Sequence, residues 1–442
     1  MDLERKFFSR AWIALVITSI LFNKLSQADE LSAQDASSSS APKATLKLAD
    51  LVKEAVTSRP ALEAARQEAE AKRAQVSPAG AYDDPMVGFS AVNYPVNTLS
   101  RRDSGMAGNE WMVSQKIRFP GKLTKLQNAA QFDAEAKFQA AGAKERDVVR
   151  EVKTAYYGLY LAHRKNDILS EQIGLLRQLL SVARGQFVLG KMSQAEILAM
   201  QSEEGLLMSQ ILGAQKEIEL MRAELNFAIG KPLVSRTERP GAISRTIFDL
   251  SKPAQEKLQS SVLNQNLDIK AASLGFNAAE SKLGYAKLNY LPDFEFKFAY
   301  MLREPTAGDL GIDSVTGSVS MSVPLWFFAK QTPEVNAARA EKVRAEAQVD
   351  EQKNYLIQQT HKVLAELEEA DQKIKLYEGG LLPLSRQAVM AGKSAYMAGK
   401  LEYGAMINSF RNWFQTELSS SEALVNYETK IAELEVLLAR SL

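Results

Sequence analysis

Few of the 442 residues could do covalent or metal chemistry. The chain has no cysteine, which excludes disulfides, thiolate metal sites and a Cys-linked lipid anchor. Its two histidines, His163 and His361, have no second imidazole or thiolate at ligand spacing, so each reads as an ordinary helix residue. No glycine-rich phosphate loop is present, so no cofactor is expected and the chain does not read as an enzyme. The polar side chains that stand out do so by period, not by clustering. Glu295 and Lys297, Ser318 and Ser320, and Lys116 and Arg118 each alternate with apolar neighbours. That pattern suits a wall with one wet face.

Charge is nearly balanced, with 54 Lys and Arg against 53 Asp and Glu. Wholesale nucleic-acid binding needs a basic excess and is not expected. Compartment is written in the first 28 residues: Arg5, Lys6 and Arg10 precede an apolar run from Ala11 to Phe22, and Ser26-Gln27-Ala28 offers small residues before a cleavage point. This is the form of a secretory signal (1–28), because a run of about a dozen residues is short of the roughly 20 a membrane span needs. No later stretch is long and apolar enough for a transmembrane helix, so any entry into a membrane must be made by strands.

The elements that position these residues are written twice. Arg59-Pro-Ala-Leu to Asp84-Pro-Met-Val-Gly-Phe lies over Asn266-Leu-Asp-Ile to Leu291-Pro-Asp-Phe-Glu-Phe, a spacing of 207 from Pro85 to Pro292. Phe187-Val-Leu-Gly-Lys lies over Tyr396-Met-Ala-Gly-Lys at 209, from Gly190 to Gly399. So small a drift marks a duplication. The expected organisation is a flexible leader (29–45), a first repeat (46–230), a linker (231–256) rich in proline, and a second repeat (257–442). Each repeat runs helix, two alternating strands, then a long helical pair.

Strands are expected at about 86–93, 110–119, 293–301 and 315–325. Phe294, Phe296, Phe298 and Tyr300 oppose Glu295, Lys297 and Ala299, and Val315, Val319, Met321 and Val323 oppose Thr316, Ser318, Ser320 and Ser322. Trp111, Val113, Ile117 and Phe119 likewise oppose Met112, Ser114, Lys116 and Arg118. Long polar loops (93–108 and 303–314) join the members of each pair. A soluble sheet with one solvated face gives the same alternation. Tyr82, Phe119, Tyr290 and Trp326-Phe327-Phe328 at the loop-distal ends favour instead a transmembrane β-barrel with an aromatic girdle. The helices carry coiled-coil seams: Val148, Val152, Ala155, Leu159 and onward to Phe187, then Ile197, Met200, Glu204, Leu207 and onward to Ala228. One helix from Leu123 to Phe187 and another from about Lys330 to Tyr396 would each span on the order of 100 Å.

Two hairpins supply four strands. An open four-stranded sheet in lipid leaves two edges of unpaired backbone groups at several kcal/mol each, so the barrel must be shared between chains.

At this point the chain resembles an outer-membrane factor of the TolC family over essentially all of its mature length. The residues that carry the resemblance are the duplicated Asp84-Pro85 and Leu291-Pro292 helix ends, Ser114-Gln115-Lys-Ile-Arg-Phe-Pro-Gly-Lys122, and the paired Gly190-Lys and Gly399-Lys turns. The Gln-x-x-x-Phe-Pro-Gly-Lys form resembles the heavy-metal, CzcC/CusC-like branch more than the general drug-efflux branch, although many CusC-like members carry a lipidated cysteine that this chain lacks. The resemblance implies a mainly α fold with a small transmembrane β part: a homotrimer with a 12-stranded barrel and a periplasmic α-helical tunnel. It implies an outer-membrane channel that passively exports metal cations or small toxic compounds, energised by an RND-type inner-membrane pump through a periplasmic membrane-fusion adaptor. Val188, Leu189, Gly190 and Lys191, with Met397, Ala398, Gly399 and Lys400, would be the adaptor-docking tips. Glu196 and Glu402 would be the aperture carboxylates, where a ring of acids favours cations; a solvated helical face accounts for the same residues. Lys116, Arg118, Glu295, Lys297, Ser318 and Ser320 would line the barrel. The reading from another class is a soluble periplasmic coiled-coil adaptor or scaffold, which explains the helical hairpins but not the strands.

Overall fold

The computed structural model describes residues 45–190, 192–231 and 238–442. The expected signal, the leader up to residue 44 and Lys191 lie outside the described residues. The chain divides into two compact units. The described part of the smaller is 45–46 with 238–239, joined by the Leu46 N–H donating to the Arg239 carbonyl at 2.9 Å. The larger unit carries all the helices and strands that follow.

Each repeat opens on helices punctuated by residues that stop them. Helix α1 (Leu48–Ser58) ends where Pro60 forces Arg59 into an extended conformation, and the same proline starts α2 (Pro60–Ala74); α3 (Val76–Gly80) adds one turn. After strands β1 (Met86–Val92) and β2 (Gly108–Ile117) come α4 (Lys122–Val188) and α5 (Gln194–Ile229). The second repeat has α6 (Lys252–Gln265), which begins inside the segment expected as linker, and α7 (Leu267–Leu288). Between them the Asn266 Oδ1 accepts the Asp268 and Ile269 N–H groups. Strands β3 (Phe294–Arg303) and β4 (Ser314–Met321) lead to α8 (Gln331–Leu376), α9 (Leu382–Met397) and α10 (Tyr403–Leu438).

The 67 residues of α4 make a rod of about 100 Å. Its seam is buried from Val148 through Ala183, apart from half-buried Asn166 and Leu169, and Phe187 at its end is exposed. Along α5 the expected seam is buried at Met200, Leu207, Ile211, Ala214, Ile218, Leu225 and Ala228, with Ile197 and Met221 half-buried, and it is displaced at one position. It steps three residues from Met200 to Glu203, which is buried, and leaves Glu204 at the margin, paired with Arg177. The expected rod of the second repeat is helical throughout from Gln331 to Met397, with one irregularity. Tyr377–Leu381 forms a π-turn between α8 and α9, where Gly379 and Gly380 bring no side chain and Pro383 no N–H. Such a turn inserts a residue and rotates everything beyond it relative to the helix before.

The four strands form one antiparallel sheet in the order β1-β2-β3-β4. Pairing within each repeat is the local hairpin, while β2 with β3 joins the repeats, in the register Trp111 with Tyr300 and Lys116 with Glu295. Strands β1 and β4 are left as edges.

The strand-to-helix corners are pinned by one ion pair. Phe119-Pro-Gly-Lys122 turns the chain so that the Lys122 ammonium, almost fully buried, reaches the Leu291 carbonyl at 2.9 Å and Asp293 Oδ1 at 2.8 Å. Asp293 also accepts the Phe119 N–H at 2.9 Å, and its own N–H donates to Ser322 Oγ. Burial works to raise the Asp293 pKa, but Lys122 and the Phe119 amide outweigh it and hold the carboxyl below its ordinary range. Asp293→Ala leaves the Lys122 ammonium buried and unpaired, so a loss of about 2–3 kcal/mol is expected from denaturation midpoints in detergent. Because the folded pKa is the lower one, the carboxylate's contribution is full above the ordinary value of about 3.9 and fades as pH falls through the folded value. The alanine variant should therefore approach wild type in strong acid.

Within the larger unit, the stretch around Thr246 is strapped to the helices. The Thr246 N–H and hydroxyl donate to the buried Glu428 carboxylate at 2.6 and 2.8 Å, and the Tyr427 hydroxyl donates back to the Thr246 carbonyl at 3.0 Å. Arg245 and Lys375 flank buried Asp371.

Candidate functional site

The sheet sorts its side chains by chemistry. One face carries Val87 and Phe89, then Trp111 and Val113, Phe296, Phe298 and Tyr300, and Val315 and Val319, all exposed. The polar residues on this face lie toward the strand ends: Gln115 donates to the Asp83 carbonyl at 2.7 Å and Asn109 accepts from the Tyr94 hydroxyl at 2.7 Å. An apolar surface of this extent on all four strands needs a non-aqueous neighbour. Tyr82, Trp326, Phe327 and Phe328 stand exposed at the loop-distal end.

The other face carries Glu110, Ser114, Lys116, Glu295, Lys297, Ser318 and Ser320, with Met112, Ala299 and Met301 between them. All of the expected barrel-lining residues except Arg118 are thus brought to one face. Arg118 lies just beyond β2 and is committed to Asp83 at 2.9 Å.

At the far end of the helices the two Gly-Lys turns reverse the chain. Gly190 and Gly399 take φ of +70° and +71°, the left-handed region where a side chain is strained. Val188, Leu189 and Met397 are exposed at the turns, Val188 at 84%. The turns stand together: the buried Tyr396 hydroxyl lies 4.0 Å from Met192 Sδ, inside a cluster that includes Leu179, Met200, Met406 and Phe410.

Glu196 is otherwise engaged. Its carboxylate accepts the Ser193 N–H at 3.1 Å and the Ser193 hydroxyl at 3.0 Å, a capping box that starts α5. Glu402 is exposed at the N-cap of α10 and makes no capping bond.

A charged feature that sequence reasoning missed lies above the tips. Buried Glu203 on α5 accepts from Arg411 on α10, whose Nε is 3.0 Å from Oε1, beside a cleft of about 820 Å³ shared with Lys165, Glu217 and Phe414. Arg164 with Glu417 and Lys153 with Glu435 add ties from α4 to α10 farther along. These pairs zip the second repeat onto the first. Tyr403 stands nearby, its pKa pushed up to about 12 by burial and by Glu203, so its hydroxyl stays neutral. Regular steps of three and four lead from Met200 to Glu204, so nothing local marks Glu203. Nothing local marks Arg411 either.

His163 is buried on α4 and His361 is exposed on α8. Among the described residues no group of three or more His, Asp or Glu could hold a metal, and no helix is long and apolar enough to cross a membrane.

With this geometry established, comparison with known proteins gives a consistent result. The family model described as "Outer membrane efflux protein" matches residues 51–231 and 258–440. Nothing among the curated proteins matches. Among solved structures, the chain is similar to the outer membrane protein VceC from Vibrio cholerae (16% identity, 89% of this chain and 96% of that one, TM-score 0.75). It is similar to the CmeC outer membrane channel of Campylobacter jejuni (15% identity, 89% and 85%, TM-score 0.75). It is also similar to CusC (16% identity, 93% and 96%, TM-score 0.75).

Proposed function

The chain belongs to the outer membrane efflux protein family, and from that premise we propose a homotrimeric export duct. Three chains pool their strands into a closed barrel of about twelve, and the helices continue the passage into the periplasm. The family assignment replaces the alternative of a soluble adaptor or scaffold. The observation that carries the proposal is the sheet itself: a lipid-compatible face, a charged face opposite, and two edges with no strand beside them among the described residues. In lipid those edges would cost several kcal/mol per group, against a net stability of about 5–15 kcal/mol, so pairing with further copies is what makes insertion affordable.

The exposed Val188, Leu189 and Met397 tips dock a periplasmic membrane-fusion adaptor. An RND-type inner-membrane pump supplies the energy, and the cargo is metal cations or small toxic compounds. Glu402, whose side chain makes no cap, contributes to the aperture more directly than Glu196, which the capping box holds. The experiment is the detergent-corrected mass of particles extracted from carbonate-washed outer membranes, with a Leu189→Cys probe cross-linked in cells beforehand. A mass near three chains, with adaptor attached through residue 189, is expected. A carbonate-soluble monomer would overturn the duct, and a trimer without adaptor would overturn the docking assignment alone.

A further inference from the structure

Five residues within the four strands are charged: Glu110, Lys116, Glu295, Lys297 and Arg303. All five are on the polar face, and each has an opposite charge beside it. Lys116 sits directly across from Glu295 in the ladder. Lys297 Nζ is 3.8 Å from Glu110 Oε1. Arg303 is bonded to Asp309 from the adjoining loop. Strands β1 and β4 add only small or neutral groups to this face, such as Ser90, Thr316, Ser318 and Ser320. At the rims, Arg118 pairs with Asp83 at one, and Arg101 and Arg102 share Glu304 at the other.

We infer that the barrel wall is charge-compensated, so that Glu110 with Lys297 and Lys116 with Glu295 keep this section of the duct from sorting cargo by the sign of its charge. The inference rests on the reading that the polar face lines a water-filled lumen. A selective pore presents a ring of one sign, because like charges facing the same water add their fields. Opposite charges side by side on the wall, 3.8 Å apart for Lys297 and Glu110, present a dipole instead, and salt screens what remains within about 8 Å. Threefold repetition of a neutral set is still neutral. The barrel therefore suits cations, anions and zwitterions alike, and discrimination by charge belongs to another part of the assembly. Removing one member of a pair would convert the set into a ring of three like charges.

The absence of cysteine makes the test clean. Reconstituted Ser318→Cys trimers should lose conductance to a membrane-impermeant methanethiosulfonate, while Val319→Cys trimers should not. The reverse result would sink the lumen reading itself. With Ser318→Cys reactive, Lys297→Gln should raise the cation-to-anion permeability ratio and Glu110→Gln should lower it, each roughly two- to fivefold. The double variant, neutral again, should return to the wild-type ratio. Ratios unchanged in both single variants, or shifted in the same direction, would overturn charge compensation while leaving the lumen in place. If either single variant fails to assemble, Lys116→Gln and Glu295→Gln make the same comparison.

Discussion

Arginine at position 298 should strip the protein from the outer membrane while leaving its helices folded. Phe298 lies mid-strand in β3, between Val113 and Gly317, at the centre of the apolar face and 56% exposed. An arginine on the lipid face of a barrel at mid-depth costs about 2–4 kcal/mol. A trimer carries three, or about 6–12 kcal/mol, which is the size of a whole domain's stability. The helical cores do not draw on this face: the cluster around Leu180, Met200 and Phe410 and the one around Leu367, Tyr427 and Leu434 contain no strand residue. Helical circular dichroism of the soluble chain should therefore persist while trimer in carbonate-washed outer membranes falls at least tenfold. Ser318→Arg, on the opposite face, should be tolerated. Normal insertion of Phe298→Arg with failure of Ser318→Arg would mean that the faces are assigned the wrong way round.

That contrast also explains what the sequence made legible. A half-buried strand must alternate, so Phe294 to Tyr300 announced both its secondary structure and the two unlike faces of the sheet. The seam from Val148 to Ala183 was legible for a similar reason, since one stripe must be buried turn after turn. What stayed hidden depends on residues far apart in sequence. Lys122 and Asp293 meet across the two repeats, and neither residue alone signals a buried pair. The pairing of β2 with β3 has no turn to betray it. The π-turn at Tyr377–Leu381 breaks the helical period that reading relied on, although Gly379-Gly380 and Pro383 were visible breakers. Glu203 was missed because the alternation of steps carries the seam from Met200 to Glu204, and the partner that buries Glu203 instead, Arg411, lies in the other repeat.

That hidden pair sets the last expectation. On the proposed reading the tips are the narrow end of the duct, and Glu203 with Arg411 is the tip-proximal tie between α5 of one repeat and α10 of the other. Truncating either partner removes an electrostatic clamp across the repeats. The Glu203 carboxylate is nearly buried while Arg411 is half exposed, so the cost is well below that of a fully buried pair, about 1–2 kcal/mol. That is too little to dissociate a trimer held by its barrel, but enough to shift a closed-to-open equilibrium about five- to thirtyfold. Glu203→Gln and Arg411→Gln should each raise the conductance of reconstituted trimers severalfold. Because both break the same contact, the double variant should add little to either one. The exchanged pair, Glu203→Arg with Arg411→Glu, should recover part of the wild-type closure, since the half-exposed position accepts either charge more readily than the buried one. Strictly additive effects of the two glutamines would mean that each residue acts through some other neighbour, and the remaining ties, Arg164 with Glu417 and Lys153 with Glu435, would then carry closure.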